Sequence, residues 1–523
     1  MIARPGRRPG EPRILFATSN GTGLGHLNRA MAMARRLPAG WQATFLTLSG
    51  AAPVVAAEGW EVDYLASYRR PASGTDRAWN LRLRAMLEEV VAARDPDLVV
   101  FDGVHPYRAL THVLSARGAP PSVWCRRSLW RAGSGPAPLR RAGAFDAVLE
   151  PGELAESDDS GPTVARRREA RRTRPIVFLD RDELLPREQA AAELGLDPGR
   201  RTALVALGQG GEVDLAVARS LRTLTAVRGL QVAALRSSLA PSLRLPDGVV
   251  RLDATFPMSR YFAAFDLAVA AAGYNAFHEL IAFAVPTVFV PMSRDTDDQA
   301  ARARWAAAAG AGLAVADAAD PALAARLGEL ADPDRAAELA AGCVRVDPGN
   351  GAGDAADLLA RMAAGERPAP PVRDRGRLNR WLRLSSHRYG PSLPLVLALG
   401  ARDLIRSPER RRPYLAVLAL GVPDGELVGR LEEAIGELPP ERVLVLTDSL
   451  RFGELRRLGV GFELLPSWSS SVTAPVAAVA DLRARIRLLL DGRKPLRAVS
   501  VGDHGHDLLD PGDAARTVAG SGR

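Results

Sequence analysis

Apolar residues in this chain come in short runs separated by longer stretches with helical spacing. The first run is RILFATS from Arg13, followed by the glycine-rich NGTGLGH and then by LNRAMAMARRL. Such a run predicts a buried strand, because a strand covered on both faces is apolar throughout. Further candidates are Ala43–Leu48, Asp97–Phe101, Ser122–Trp124 and Phe145–Leu149. After the polar, basic stretch ARRREARRTR at Ala165–Arg174, which has the composition of a linker, come Ala203–Leu207, Leu230–Leu235, Val249–Leu252, Asp266–Ala270 and Thr287–Val290. Strands alternating with helical segments imply doubly wound parallel sheets, so residues 1–174 and 175–362 are expected to form two α/β halves. A second linker, AAGERPAPP at Ala363–Pro371, opens a basic segment over 363–412. YLAVLALG, RVLVLTD and VGFELLP then repeat the rhythm, so 413–523 is expected to hold a small third α/β domain with a frayed tail from Leu509.

The most telling segment is Asp266–Gln299, DLAVAAAGYNAFHELIAFAVPTVFVPMSRDTDDQ. It reads as strand, tight turn at Gly273, Tyr274 and Asn275, short helix, second strand and polar loop. A helix that starts at the carboxyl end of a buried strand aims unpaired N–H groups and its dipole at an anion. Glu279 lies one turn into the helix, placed to accept from a ribose diol. Asp298 and Gln299 follow the next strand, where they would grip a sugar. The run Gly208, Gln209, Gly210, Gly211 is a second glycine loop between strand and helix. Both loops sit where open parallel sheets bind ligands.

Composition changes this picture little. The chain has 523 residues, enough for two or three domains, and 47% hydrophobic with 25% charged residues is ordinary for a soluble globular protein. Lys494 is the sole lysine, so the net charge of +9 reflects arginine usage and only weakly suggests an acidic partner. Cys125 and Cys343 make neither a disulfide framework nor a zinc site, which points to a reducing cytoplasm. No apolar stretch precedes Ile14 as in a signal peptide, and no run approaches the ~20 apolar residues that span a bilayer. Any membrane contact would be peripheral, on the inner face.

These blocks together resemble the GT-B glycosyltransferases of family 28, especially the branch of the peptidoglycan N-acetylglucosaminyltransferase. The resemblance covers roughly Arg13 to Met362. The version Gly23-Leu24-Gly25-His26-Leu27-Asn28-Arg29 is also similar to bacterial predicted glycosyltransferases with a GxGHxxR loop. It implies two facing Rossmann-like domains, with the third domain appended. It also implies inverting, metal-independent transfer of a sugar from a nucleotide-diphosphate donor, of the UDP type, to a hydroxyl acceptor in a cell-envelope glycolipid or a secondary metabolite. By position, Glu279 is expected on the donor ribose, Asp298 and Gln299 on the donor sugar, and Gly273 to Asn275 at the diphosphate. Phe256-Pro257-Met258 matches the loop that cradles the base. His26 matches the group beside the reacting centre, with Gly23, Gly25 and Arg29 forming the acceptor-side loop. Ala271-Ala272 departs from the family, replacing a polar pair and leaving the donor sugar open. No cofactor is implied, since the nucleotide sugar is a substrate.

Each assignment has a plainer competitor. His26, the expected general base, would otherwise cap its helix or bind phosphate. Asp102, at the end of LVVFD, either orients His26 or caps a turn. His105 is an alternative base or a surface histidine. Glu279 and Asp298 would otherwise be surface ion-pair partners, and Asp295-Thr296-Asp297-Asp298 reads better as a solvated loop than as a metal site. Eleven arginines against three acids between Arg373 and Arg412, interleaved with Trp381, Leu382 and Tyr389, suit either anionic lipid or a helix packed across the domains. No nucleic-acid module is visible. A nucleotide-sugar hydrolase, an epimerase and a non-catalytic scaffold subunit are the rival functions.

Overall fold

Ile14, Leu15 and Phe16 expose no surface, and neither do Leu98, Val99 and Val100, which pair with them in register. Strands apolar on both faces are what a parallel sheet between helical layers requires. The computed structural model describes residues 12–19, 24–49, 51–65, 76–116, 118–208, 212–235, 245–252, 256–366, 413–423, 425–449, 454–455, 458–465, 482–483, 486–487, 490 and 495–502. The chain forms two compact units. The first holds 1–44, 94–106 and 118–371, and the second holds 45–93, 107–117 and 372–523.

The strands, in chain order, begin with β1 (Arg13–Thr18), β2 (Gln42–Thr47), β3 (Glu61–Tyr64), β4 (Leu98–Asp102), β5 (Ser122–Cys125), β6 (Ala147–Glu150) and β7 (Ala170–Arg172). Within the first unit, β1, β4, β5, β6 and β7 pair side by side, all parallel. The same unit carries β8 (Thr202–Ala206), β9 (Gln231–Leu235), β10 (Val249–Leu252), β11 (Leu267–Ala271), β12 (Thr287–Val290) and β13 (Leu313–Ala314). These form a second parallel sheet in the order β10-β9-β8-β11-β12-β13. Numbered within the sheet, that is 3-2-1-4-5-6, the doubly wound order with its switch point between β8 and β11. The two turns leaving β8 and β11 begin at Gly208 and just before Gly273, so the expected ligand loops sit at the switch point. Gly208 has φ +82°, a conformation that favours glycine. One apolar layer, with Phe262, Phe277, Leu280 and Phe289, lies on one face of this sheet, and another, with Val205, Leu221, Val269 and Leu327, lies on the other.

The second unit contains β14 (Leu415–Ala419), β15 (Val443–Thr447), β16 (Gly461–Leu464) and β17 (Arg497–Ser500), parallel in the order β16-β15-β14-β17. Its core includes Ala52 and Tyr64 from the N-terminal part of the chain, packed with Leu418, Leu446 and Ile486. The Tyr64 hydroxyl donates to Glu463 Oε1 at 2.7 Å.

The apolar runs thus became strands within a residue or two, whereas β3, β7, β13 and β17 carry no strong apolar signal. One expectation is corrected. Ala165–Arg174 is no free linker: Val164–Glu169 forms a 3₁₀ helix and Ala170–Arg172 is strand β7, paired with β6. Arg168, Arg171, Arg172 and Arg174 are exposed, while Arg166 and Arg167 are partly buried. Arg167 reaches Asp159, and the buried Arg126 joins Glu150 and Glu169. The basic segment 373–412 and the tail from Leu509 lie outside the described residues.

Candidate active site

The helix Gly25–Ala34 starts directly after the first glycine loop and brings His26, Asn28 and Arg29 to the carboxyl end of the first sheet. Gly23 lies outside the described residues, and Gly25 is exposed at the helix start. Asp102 ends β4, buried beside them. Its Oδ1 lies 2.6 Å from His26 Nδ1, and Arg29 Nε donates to its Oδ2 at 3.0 Å. Burial favours the neutral form of Asp102, but Arg29 and His26 outweigh it and hold the carboxyl at about 2. Burial lowers the His26 pKa, Asp102 opposes that shift, and Arg29 and Arg127 add to it. A neutral imidazole that donates Nδ1–H to Asp102 keeps its Nε2 lone pair for a proton. His26 retains 16% of its side-chain exposure, against 1% for Asp102. His105 is exposed, its ring tilted against Trp130.

The second half of the unit presents the helix Tyr274–Ala282, capped by Gly273. The two helices meet through polar groups. Asn275 Nδ2 donates to Gly25 O at 3.1 Å, and Asn28 Nδ2 donates to Glu279 Oε1 at 2.9 Å. Glu279 is buried, which pushes its carboxyl up to about 7, while Asn28 and the main chain at Phe178 pull weakly the other way. The side chain of Tyr274 is committed to structure. Its hydroxyl donates to Gly152 O at 2.9 Å and accepts from Ile176 N at 3.1 Å, and the Arg29 and Arg302 guanidiniums approach its ring. What Tyr274 offers a ligand is main chain.

Behind the turn, Arg302 is fully buried. It donates to Ala272 O at 3.2 Å, to Glu153 at 2.9 Å and to Asp297 at 2.8 Å. His278 Nδ1 contacts Tyr274 O at 2.7 Å and Nε2 lies 3.4 Å from Glu153. The loop preceding the next helix is solvated only in part: Asp295 is exposed, as the run of acids suggested, but Asp297 is not. Asp297 is 11% exposed and pairs with both Arg127 and Arg302, which drive its carboxyl down despite burial. Asp298 caps the helix Gln299–Ala308, accepting from Ala301 N at 3.0 Å. Gln299 is buried at that helix start, its Oε1 accepting from Met292 N at 3.0 Å and its Nε2 donating to Asp297 Oδ2 at 3.3 Å. The Phe256 ring packs on Phe178, and Met258 opens the 3₁₀ helix Met258–Ala264. Gln209, Gly210 and Gly211 lie outside the described residues.

His26, Asp102, Arg29, Asn275 and Glu279 thus gather in one place, with Gln299 near the Gly273 turn. Sequence reasoning missed Asn28, Arg127, Glu153, His278, Asp297 and Arg302. The spacing of Asn28 and Arg29 behind His26 on one helix was the available signal. Nothing local marks the others. Among the described residues no group of three or more His, Cys, Asp or Glu side chains could hold a metal, and no helix is long and apolar enough to cross a membrane.

Residues 249–341 match the model of the glycosyltransferase family 28 C-terminal domain. The UDP-N-acetylglucosamine–N-acetylmuramyl-(pentapeptide) pyrophosphoryl-undecaprenol N-acetylglucosamine transferase of Clavibacter sepedonicus is 32% identical over 382 residues, covering 68% of this chain and 99% of that one. The enzyme of the same name from Mycobacterium tuberculosis is 29% identical over 381 residues, covering 69% and 92%. Among solved structures, spinosyn forosaminyltransferase is 17% identical with a TM-score of 0.49, covering 68% and 99%. With identity of that level sustained along almost the whole of a curated relative, the chain belongs to glycosyltransferase family 28 and is a glycosyltransferase of the GT-B type.

Proposed function

We propose that this enzyme transfers a sugar from a uridine-diphosphate donor to the hydroxyl of a lipid-linked acceptor, by single displacement with inversion and without a metal. The second sheet's half would hold the donor and the first sheet's half the acceptor. The observation that carries the reading is the meeting of the two helices. His26, held by Asp102, stands on one, while the Gly273 turn and Glu279 stand on the other, joined through Asn28 and Asn275.

On this reading the diphosphate sits at the start of the helix Tyr274–Ala282, where main-chain N–H groups and the helix dipole stabilise charge as the leaving group departs. Glu279 takes the ribose diol in place of Asn28, and Gln299 meets the sugar. His26 Nε2 removes the acceptor proton, and Asp102 stabilises the imidazolium that forms. General-base help of this kind is worth roughly 10²–10⁴-fold. Relatives named for a pyrophosphoryl-undecaprenol acceptor support a polyprenyl-linked substrate. The basic segment 373–412, with Trp381 and Tyr389, fits the anionic surface where such a lipid lies.

The test incubates the purified protein with a panel of UDP-sugars, with and without lipid extract. Turnover that needs the extract and yields UDP with a glycosylated lipid supports the proposal. Free sugar released without extract would overturn it in favour of hydrolysis.

A further inference from the structure

The loop after β5 reaches the loop before the helix Gln299–Ala308 by five hydrogen bonds, one of them from Arg131 Nη1 to Arg294 O at 3.3 Å. Arg131 N donates to Thr296 O at 2.8 Å, Asp298 N to Leu129 O at 3.1 Å, Ser134 Oγ to Asp295 O at 3.1 Å, and Arg127 to Asp297 Oδ1 at 2.9 Å. The β5 loop is itself held rigidly. Leu129 adopts φ +56°, unusual for a branched residue, and its N–H is fixed by Asp159 at 3.1 Å. Gly161 packs so closely on Trp130 that a Cβ there would lie 1.8 Å from the Trp130 carbonyl oxygen.

Asp297 is the junction. One carboxylate oxygen takes Arg127 and Arg302, and the other takes Gln299 Nε2. With Met292 N on Gln299 Oε1, the carboxamide has a single orientation, and a Cβ on Gly273 would lie 3.7 Å from its Nε2. The amide that faces the anion turn is therefore aimed by a carboxylate that an arginine from the opposite half holds. Arg127 is desolvated and near Arg29 and Arg302, so Asp297 is what keeps its charge in place.

We propose that Arg127 is a positioning residue for the donor sugar, acting through Asp297 on Gln299. This rests on the nucleotide-sugar reading of the Gly273 crevice. Arg127 needs no contact with the donor. It fixes the polarity of the Gln299 amide, so that contact between the two halves sets how the sugar is met.

The experiment measures affinity for UDP and for UDP-N-acetylglucosamine in the wild type, Arg127→Gln, Asp297→Asn and the double variant. In Asp297→Asn, a new amide donor facing Gln299 Nε2 favours a flipped carboxamide. Expected is UDP affinity within about twofold of wild type, with about a tenfold loss for the UDP-sugar, the scale of one well-placed hydrogen bond. The double variant should lose little more than either single variant. An unchanged sugar increment in either variant overturns the relay, as does an equal loss of UDP and UDP-sugar, which marks a merely structural pair. Wild-type protein that binds no uridine nucleotide overturns the donor reading itself, and the relay with it.

Discussion

Glu279→Gln offers a quantitative test of the donor site, because burial has already set the proton balance of this carboxyl. The residue is 9% exposed, and its carboxyl sits at about 7. A rise of two to three units from the usual glutamate range corresponds to about 3 kcal/mol of preference for the neutral form. Near pH 7 about half the molecules carry the proton, and at pH 6 about nine in ten do. A ribose diol donates to a carboxylate, so binding must select the ionised fraction. Donor affinity is then reduced about twofold at pH 7 and about tenfold at pH 6 relative to alkaline pH. Titration calorimetry with a UDP-sugar, in buffers of different ionisation enthalpy, reads the proton directly. The diphosphate of the sugar nucleotide stays ionised throughout and does not interfere. Expected is release of about 0.9 proton at pH 6, about 0.5 at pH 7 and about 0.1 at pH 8, all lost in Glu279→Gln. The sign for folding follows from the same shift. The folded state holds this proton up to about 7 and the unfolded chain only to ~4.3, so the group's contribution to stability declines as pH rises through that window. Proton release that is absent, or identical in Glu279→Gln, would refute the assignment.

Further outcomes concern His26, Asp102 and the basic segment 373–412. His26→Ala should lower turnover roughly 10²–10⁴-fold while UDP-sugar affinity holds. Because burial lowers the His26 pKa, the acid limb of kcat/KM in Glu279→Gln, where the Glu279 carboxyl no longer titrates, should fall below ~6.5, the free imidazole value, and a limb above that would contradict the environment described. Asp102→Asn leaves the buried Arg29 without its anion and should cost about 3–5 kcal/mol in denaturant unfolding, and a loss under about 1 kcal/mol would show that the pair is not desolvated. Replacing Arg410, Arg411 and Arg412 with glutamate should abolish flotation with phosphatidylglycerol vesicles, at about 1 kcal/mol per basic residue. Salt-insensitive binding that survives the change would place the membrane contact elsewhere.

The sequence by itself determined what is local. Apolar runs bounded by glycine and proline placed most strands, because a strand buried on both faces must be apolar along its length. Glycine turns marked the carboxyl ends of β8 and β11, and His26, Asn275 and Glu279 took their places from spacing along a helix. The third sheet was equally legible, from runs such as LAVLA at β14. Tertiary structure alone decided which polar groups meet. Asp102 comes from 76 residues beyond His26, and Asn28 reaches Glu279 across 251. Asp297 reads as a solvated acid in its own segment, yet Arg127 and Arg302 meet it in the fold. A charge tolerates burial only when a counter-charge arrives to pair with it, and that partner is supplied by packing rather than by neighbours in the chain. For the same reason the sequence named Glu279 but not its raised pKa, since desolvation belongs to the closed crevice and not to the residue.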